Sequence, residues 1–146
     1  MNKESTHLIE CLLSSHIPPP SSLILMGTIS QAELYRLIAE RNARGERVVV
    51  ATVAHTRGST PQRRGAKMLF FENDDVAGTV GGGCIEAEVW AEAREAMRTG
   101  AAGLHKFSLT ADEASEEGMV CGGTMEIFID VWDGRREKGK GEGVKG

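Results

Sequence analysis

Val76-Ala77-Gly78-Thr79-Val80-Gly81-Gly82-Gly83-Cys84-Ile85-Glu86-Ala87-Glu88-Val89 decides how this chain is read. Residues 76–80 are extended and apolar, the three glycines turn the backbone, and an amphipathic helical pattern follows. Ile85, Val89, Ala93 and Met97 recur at helical spacing, Glu86, Glu92, Glu95 and Arg98 are expected to turn outward, and Gly100 supplies the stop. A strand–turn–helix of this kind aims unpaired N–H groups and a positive dipole end at the turn. An anion is favoured there, and so is the thiolate form of Cys84.

Working outward, residues 47–55 form a continuous Val/Ala/Thr run, read as a strand buried on both faces. Residues 67–71 and 76–80 read as a hairpin around Asn73-Asp74-Asp75, and 104–109 and 125–131 as two further strands. Ser30 with Glu33 makes a capping box for a helix that Gly45 ends. Thr110 with Glu113 makes another, for a short helix ending at Gly118. The expected fold is a single small α/β domain: a mixed sheet of about five strands with helices packed against it. Residues 1–29, broken by Pro18-Pro19-Pro20, read as a peripheral extension. Residues 30–132 are the domain, and 133–146 are a charged, glycine-rich tail expected to be disordered.

Composition narrows the class. The 146 residues are one domain's worth, and 40% hydrophobic and 26% charged residues are those of a globular protein that stays in solution. A net charge of −4 gives no general attraction to nucleic acid or an acidic membrane surface. Three cysteines are an odd number, which argues against a disulfide framework and for a reducing compartment. Glu10 splits Leu8-Ile9 from Leu12-Leu13, so no signal sequence or membrane span is read, and a cytoplasmic location is expected.

Three turns have the composition of functional loops. Gly58-Ser59-Thr60-Pro61 is flanked by Arg57, Arg63 and Arg64, whose guanidinium forks suit phosphate; a solvated basic loop would look the same. The triple glycine leading to Cys84 is neither a dinucleotide fingerprint nor a P-loop, because no Gly-Lys-Ser/Thr follows. Val120-Cys121-Gly122-Gly123 places a second thiol between glycines, where a buried small hydrophobe is the plain alternative. Neither thiol has partners at zinc spacing, and no metal ligands are assigned. Glu86 serves the helix dipole or proton transfer at the site, and the sequence leaves both open. His55 precedes the arginine loop, while His105 alternates with Leu104 and Phe107 and reads as structural.

Taken together and in order, these blocks resemble the xanthine dehydrogenase accessory factor family, XdhC/CoxI. Ala51-Thr52-Val53 with Gly58-Ser59-Thr60-Pro61 and Gly65-Ala66-Lys67-Met68 is similar to its opening block. Residues 78–86 are similar to its central block, and Leu109-Thr110-Ala111-Asp112 with 118–123 to its last. The resemblance implies an accessory protein that binds molybdenum cofactor (molybdopterin) as transient cargo, protects it during sulfuration and delivers it to an apo molybdenum hydroxylase. It implies a chaperone rather than a catalyst. Carried over by position, the cofactor-binding set is Gly58, Ser59, Arg63, Gly82, Gly83, Cys84, Glu86, Cys121 and Gly122. The implied partners are the apo-enzyme, a cysteine desulfurase, and a separate Rossmann-like domain of the sort many relatives carry after this one; there is room for a homodimer. Two features depart from the pattern: Gln62-Arg63-Arg64 lacks a second proline, and the N-terminal extension is additional. The competing readings are a sulfur-transfer or redox enzyme using Cys84, and an interaction module without a ligand.

Overall fold

A computed structural model describes residues 29–109 and 122–137. Chain order among them is α1 (Gln31–Ala43), β1 (Arg47–Arg57), β2 (Lys67–Phe71), β3 (Val76–Gly78), α2 (Gly83–Thr99), β4 (Gly103–Ser108), β5 (Thr124–Asp133) and a one-turn α3 (Gly134–Glu137). The capping box forms as expected: Ser30 Oγ accepts from the Glu33 N–H at 3.2 Å. Gly45, at φ +80°, ends the helix by donating to the Asn42 carbonyl at 2.9 Å. The second capping box, at Thr110, lies outside the described residues.

The sheet has the order β3-β2-β1-β5-β4. The expected five-stranded α/β domain is what forms, but every pairing is antiparallel, where a mixed sheet was expected. The tail also differs, because residues 133–137 continue as the end of β5 and a helical turn. β1 is central, and its run of apolar residues is explained by helices on both sides. Val49, Ala51 and Val53 join Met68, Phe70, Met125, Ile127 and Ile129 beneath α2, which contributes Ile85, Val89, Ala93 and Ala96. Val48 and Val50 join Leu69, Phe71 and Ala77 beneath Leu34 and Ile38 of α1. Burial of these side chains, worth about 1.5–3 kcal/mol for each Val, Leu, Ile, Phe or Met and less for each Ala, is what holds the layers together.

Arg47 fastens the two ends of this arrangement. Its Nε donates to Asp133 Oδ2 at 2.7 Å across the β1–β5 pair, and a second guanidinium nitrogen donates to the Met97 carbonyl at 2.8 Å, near the end of α2. Arg135 adds its N–H and Nε to Asp133 Oδ1 at 3.1 and 3.3 Å. The Asp133 side chain is only 5% exposed. The Arg47 guanidinium above all, helped by Arg135, holds its pKa down from 3.8 to about 2. A carboxylate depressed in the fold stabilises it fully above its unfolded pKa and loses that contribution as pH falls through the folded one. Asp133→Asn is therefore expected to cost about 1–2 kcal/mol at neutral pH. In urea unfolding, the gap between wild type and variant is expected to close as pH drops from 3.8 toward 2.

Candidate functional site

The three turns meet. β1 runs on past β2, still paired with β5 as far as Arg57, and the chain returns through the loop 58–65, closed at its base by Val53 N–H to the Ala66 carbonyl at 2.9 Å and Gly65 N–H to the Val53 carbonyl at 2.8 Å. The tip of this loop is wedged between the other two turns. Pro61 packs against Gly81, so a Cβ on Gly81 would stand 2.5 Å from Pro61 Cγ. On the other side the Ser59 carbonyl lies against Gly123, where a Cβ would collide with it. Gly58 faces Gly122 and Gly123, with a Cβ there meeting the Gly123 Cα at 3.1 Å. The junction exists only because these positions carry no side chain.

Beyond the junction the glycines are open. Gly81, Gly82 and Gly83 take φ values of +141°, +77° and +62°, a succession that side-chain-bearing residues rarely adopt. A Cβ added at Gly82, Gly83 or Gly122 would meet nothing within 4 Å. Gly82 caps α2 with no side-chain hydrogen bond, so the N–H groups opening this 17-residue helix face the turn without a side-chain partner. Cys84 is the second residue of that helix. Arg57, Arg63 and Arg64 are exposed, and none of the ion pairs among the described residues engages them. The loop that adjoins the N-terminus of α2 thus carries three exposed arginines, a residue type whose guanidinium fork suits an anion.

Glu86 corrects one expectation. Instead of turning outward it is buried, 9% exposed, with its carboxylate folded back onto the turn. Oε1 accepts from Thr79 Oγ1 at 2.5 Å, Gly82 N–H at 2.9 Å and Val80 N–H at 3.3 Å. Thr79 Oγ1 in turn accepts from the Gly81 N–H at 3.1 Å. Glycine turns leave backbone donors unpaired, and the carboxylate four residues on satisfies them while complementing the helix dipole. Glu86 thus shapes the turn. It also lines, with Gln31, Gln62, Lys67 and Thr79, a cleft of about 510 Å³ that opens beside Gly82.

Of the residues assigned from sequence, Gly58, Ser59, Gly82, Gly83, Glu86 and Gly122 are brought together with the backbone of Cys84, and Arg63 lies on the same loop. Cys121 lies outside the described residues. Pro61, Gly81, Gly123 and Thr79 were missed; the flanking positions of each glycine turn were the available signal. His55 is exposed on β1 beside the β-bulge at Val53/His55. His105 is apart from the turns, with Nδ1 3.2 Å from Glu92 Oε2. Among the described residues no group of three His, Cys, Asp or Glu side chains is placed to hold a metal ion. A separate cleft of about 550 Å³ between Phe70, Trp90, Arg94 and Met97 touches none of the three turns.

Comparisons with known proteins concern the sequence and the fold. The sequence profile of the XdhC and CoxI family matches residues 42–108, which bears out the resemblance over β1 to β4 and takes in two of the three turns. The chain is 35% identical over 82 residues to the uncharacterized protein YqeB of Escherichia coli K12, a match covering 56% of this chain and 15% of that protein. Among solved structures, a Bacillus halodurans chain described as a xanthine dehydrogenase aligns with a TM-score of 0.57 at 24% identity, over 70% of this chain and 32% of that one. At that identity the likeness concerns the fold. This chain spans a minor part of either relative's length. No described helix is long and apolar enough to cross a membrane.

The junction can be tested by paired substitutions. Gly123→Ala sets a methyl group against the Ser59 carbonyl and is expected to destabilise by about 2–3 kcal/mol. Gly122→Ala, one residue away in open space, is expected to stay within about 0.5 kcal/mol of wild type. Glu86→Ala strands the Val80 and Gly82 donors and is expected to cost about 2–3 kcal/mol in thermal or urea unfolding.

Proposed function

We propose that this chain holds molybdenum cofactor as a cargo and serves the maturation of molybdenum hydroxylases of the xanthine dehydrogenase type. The observation that carries this reading is the junction: one arginine-bearing loop wedged between two glycine turns at an uncapped helix N-terminus. The family resemblance and the described activity of the Bacillus halodurans relative support the same direction.

The residues fit the cargo's chemistry. Molybdopterin ends in a phosphate, and the N–H groups of Gly83 and Cys84 and the guanidinium of Arg63 are assigned as the donors for it. Arg57 and Arg64 raise the local potential, and the Ser59 hydroxyl adds a donor on the loop. The open space at Gly82, Gly83 and Gly122 lets a flat, polar molecule come up to the backbone. Glu86 takes no part in contact here; it fixes the turn that presents the donors. Cys84 and Cys121, the latter directly preceding Gly122 in sequence, are assigned as cofactor-contacting thiols. When bound, the cargo carries the molybdenum centre that the client enzyme uses for hydroxylation. The chain's own part is to bind, orient and shield it, without turnover.

The test is purification from a host that makes molybdopterin, followed by pterin fluorescence and molybdenum analysis. Wild type is expected to retain pterin. Arg63→Ala is expected to lose about tenfold in affinity, the equivalent of one charge-assisted hydrogen bond of roughly 1.4 kcal/mol. Cys84→Ser and Cys121→Ser are expected to retain less metal-loaded pterin. Unchanged retention in both would remove the thiols from the site, and absence of pterin from wild type would overturn the reading. The same samples separate a sulfur-transfer enzyme, whose Cys84 would carry an added sulfur visible by mass.

A further inference from the structure

The two faces of the sheet are covered unequally. Directly paired residues on neighbouring strands project to the same face, so register fixes what lies on the α1 side. One row there is Lys67, Thr52, Phe128 and Leu104, and another ends with Val48 beside Trp132. α1 covers β2, β3 and part of β1. The β5–β4 half of the face has no described element over it, and its apolar side chains stand open: Leu104 is 59% exposed, Phe128 41% and Trp132 41%. Tyr35, 47% exposed, stands on the flank of α1 that faces β5. Asn42, two turns further along that flank, can donate its amide to the Trp132 carbonyl at 3.1 Å. Every large apolar side chain exposed among the described residues therefore borders this one half-face. Leu104 and Phe128 are directly paired and form an exposed apolar patch, and Trp132 stands beyond Asp130, whose Oδ2 accepts from its Nε1 at 3.0 Å; exposed apolar surface of this kind marks a contact site.

What lies against it is indicated by the sequence that precedes Ile29. Ile29 packs onto the α1-side core and lines the cleft that contains Lys67, at the start of the same row. Preceding it in sequence is Leu23-Ile24-Leu25-Met26, a run of four apolar residues joined by Gly27-Thr28. Strands are spaced about 4.8 Å apart, so Phe128 is about 10 Å and Leu104 about 14 Å along the row from Lys67. An extended chain covers about 3.3 Å per residue, so Met26 reaches Phe128 and Leu23 reaches beyond Leu104.

We propose that residues 23–26 of the N-terminal segment pack across the open half of the sheet over Phe128 and Leu104, bordered by Tyr35 and Trp132. The extension is then a strap that completes the second face of the domain. It starts from the cleft that adjoins Gly82 and Glu86, so the strap and the glycine turn share a wall.

Two measurements on the full-length chain test this. The first reads Trp132, since Trp90 is buried at 8% exposure and contributes a shielded emission. Wild type is expected to show both tryptophans protected from acrylamide. Ile24→Asp with Leu25→Asp is expected to expose one of them, with a red shift and a rise in quenching. The second introduces Leu25→Cys and Leu104→Cys with the three native cysteines changed to Ser. Intrachain disulfide formed on mild oxidation supports the strap. A disulfide-linked dimer would assign the face to a second copy, and no crosslink with Trp132 quenchable in wild type would leave it to another partner; either result overturns the proposal.

Discussion

The Ser59 carbonyl and the Gly123 backbone touch because nothing stands between them, and the candidate site depends on that contact. A methyl group at Gly123 would meet the carbonyl, and one at Gly81 would meet Pro61. Backbone against backbone is a rigid form of contact, since it leaves no rotamers to adjust. The loop 58–61 is therefore held at both sides, by Gly81 at the start of the turn into α2 and by Gly123 at the start of β5. Had Gly81 or Gly123 been alanine, the loop would have to stand off from the two turns.

The second constraint is the satisfaction of backbone donors. Three consecutive glycines at positive φ make no ladder and no helix, so their N–H groups need acceptors from elsewhere. Glu86 supplies one oxygen to three donors, and Thr79 takes the fourth. This divides labour within a few residues. The donors of Val80 to Gly82 are consumed in fixing the turn, while those that open α2 are left for a ligand. A buried carboxylate at the edge of an anion site would oppose binding if it were free. Glu86 keeps its charge in these hydrogen bonds, and Arg57, Arg63 and Arg64, exposed and in no ion pair among the described residues, supply the opposite charge from the adjoining loop.

The sheet links the site to the rest of the domain. β1 lies at its centre, pairs with β2 and β5, and carries the arginine loop at one end and Arg47 at the other. Arg47 with Asp133 and the Met97 carbonyl fixes the far end of α2, whose near end is the site. Packing on one face of the sheet thereby orients the helix axis, and the helix axis aims the donors. The other face is only half covered by α1, and the apolar run just before Ile29 has the length and chemistry to cover the remainder.

The sequence by itself determined the elements and the loops that matter. Valine runs, capping residues and glycine stops act over a few residues, so the limits of α1, β2 and α2 were legible. The three turns were also legible as sites of chemistry, from their glycines, arginines and thiols. Their convergence was not, because Gly58, Gly81 and Gly123 are distant along the chain and no local period encodes which turns meet. Glu86 was misplaced for a related reason. Helical spacing put it outside, but the unpaired donors of the turn drew it in, a demand visible only once the backbone path was known. Strand order, the antiparallel pairing throughout and the open half-face are likewise products of tertiary packing, in which the whole buried surface chooses among arrangements that the local sequence permits equally.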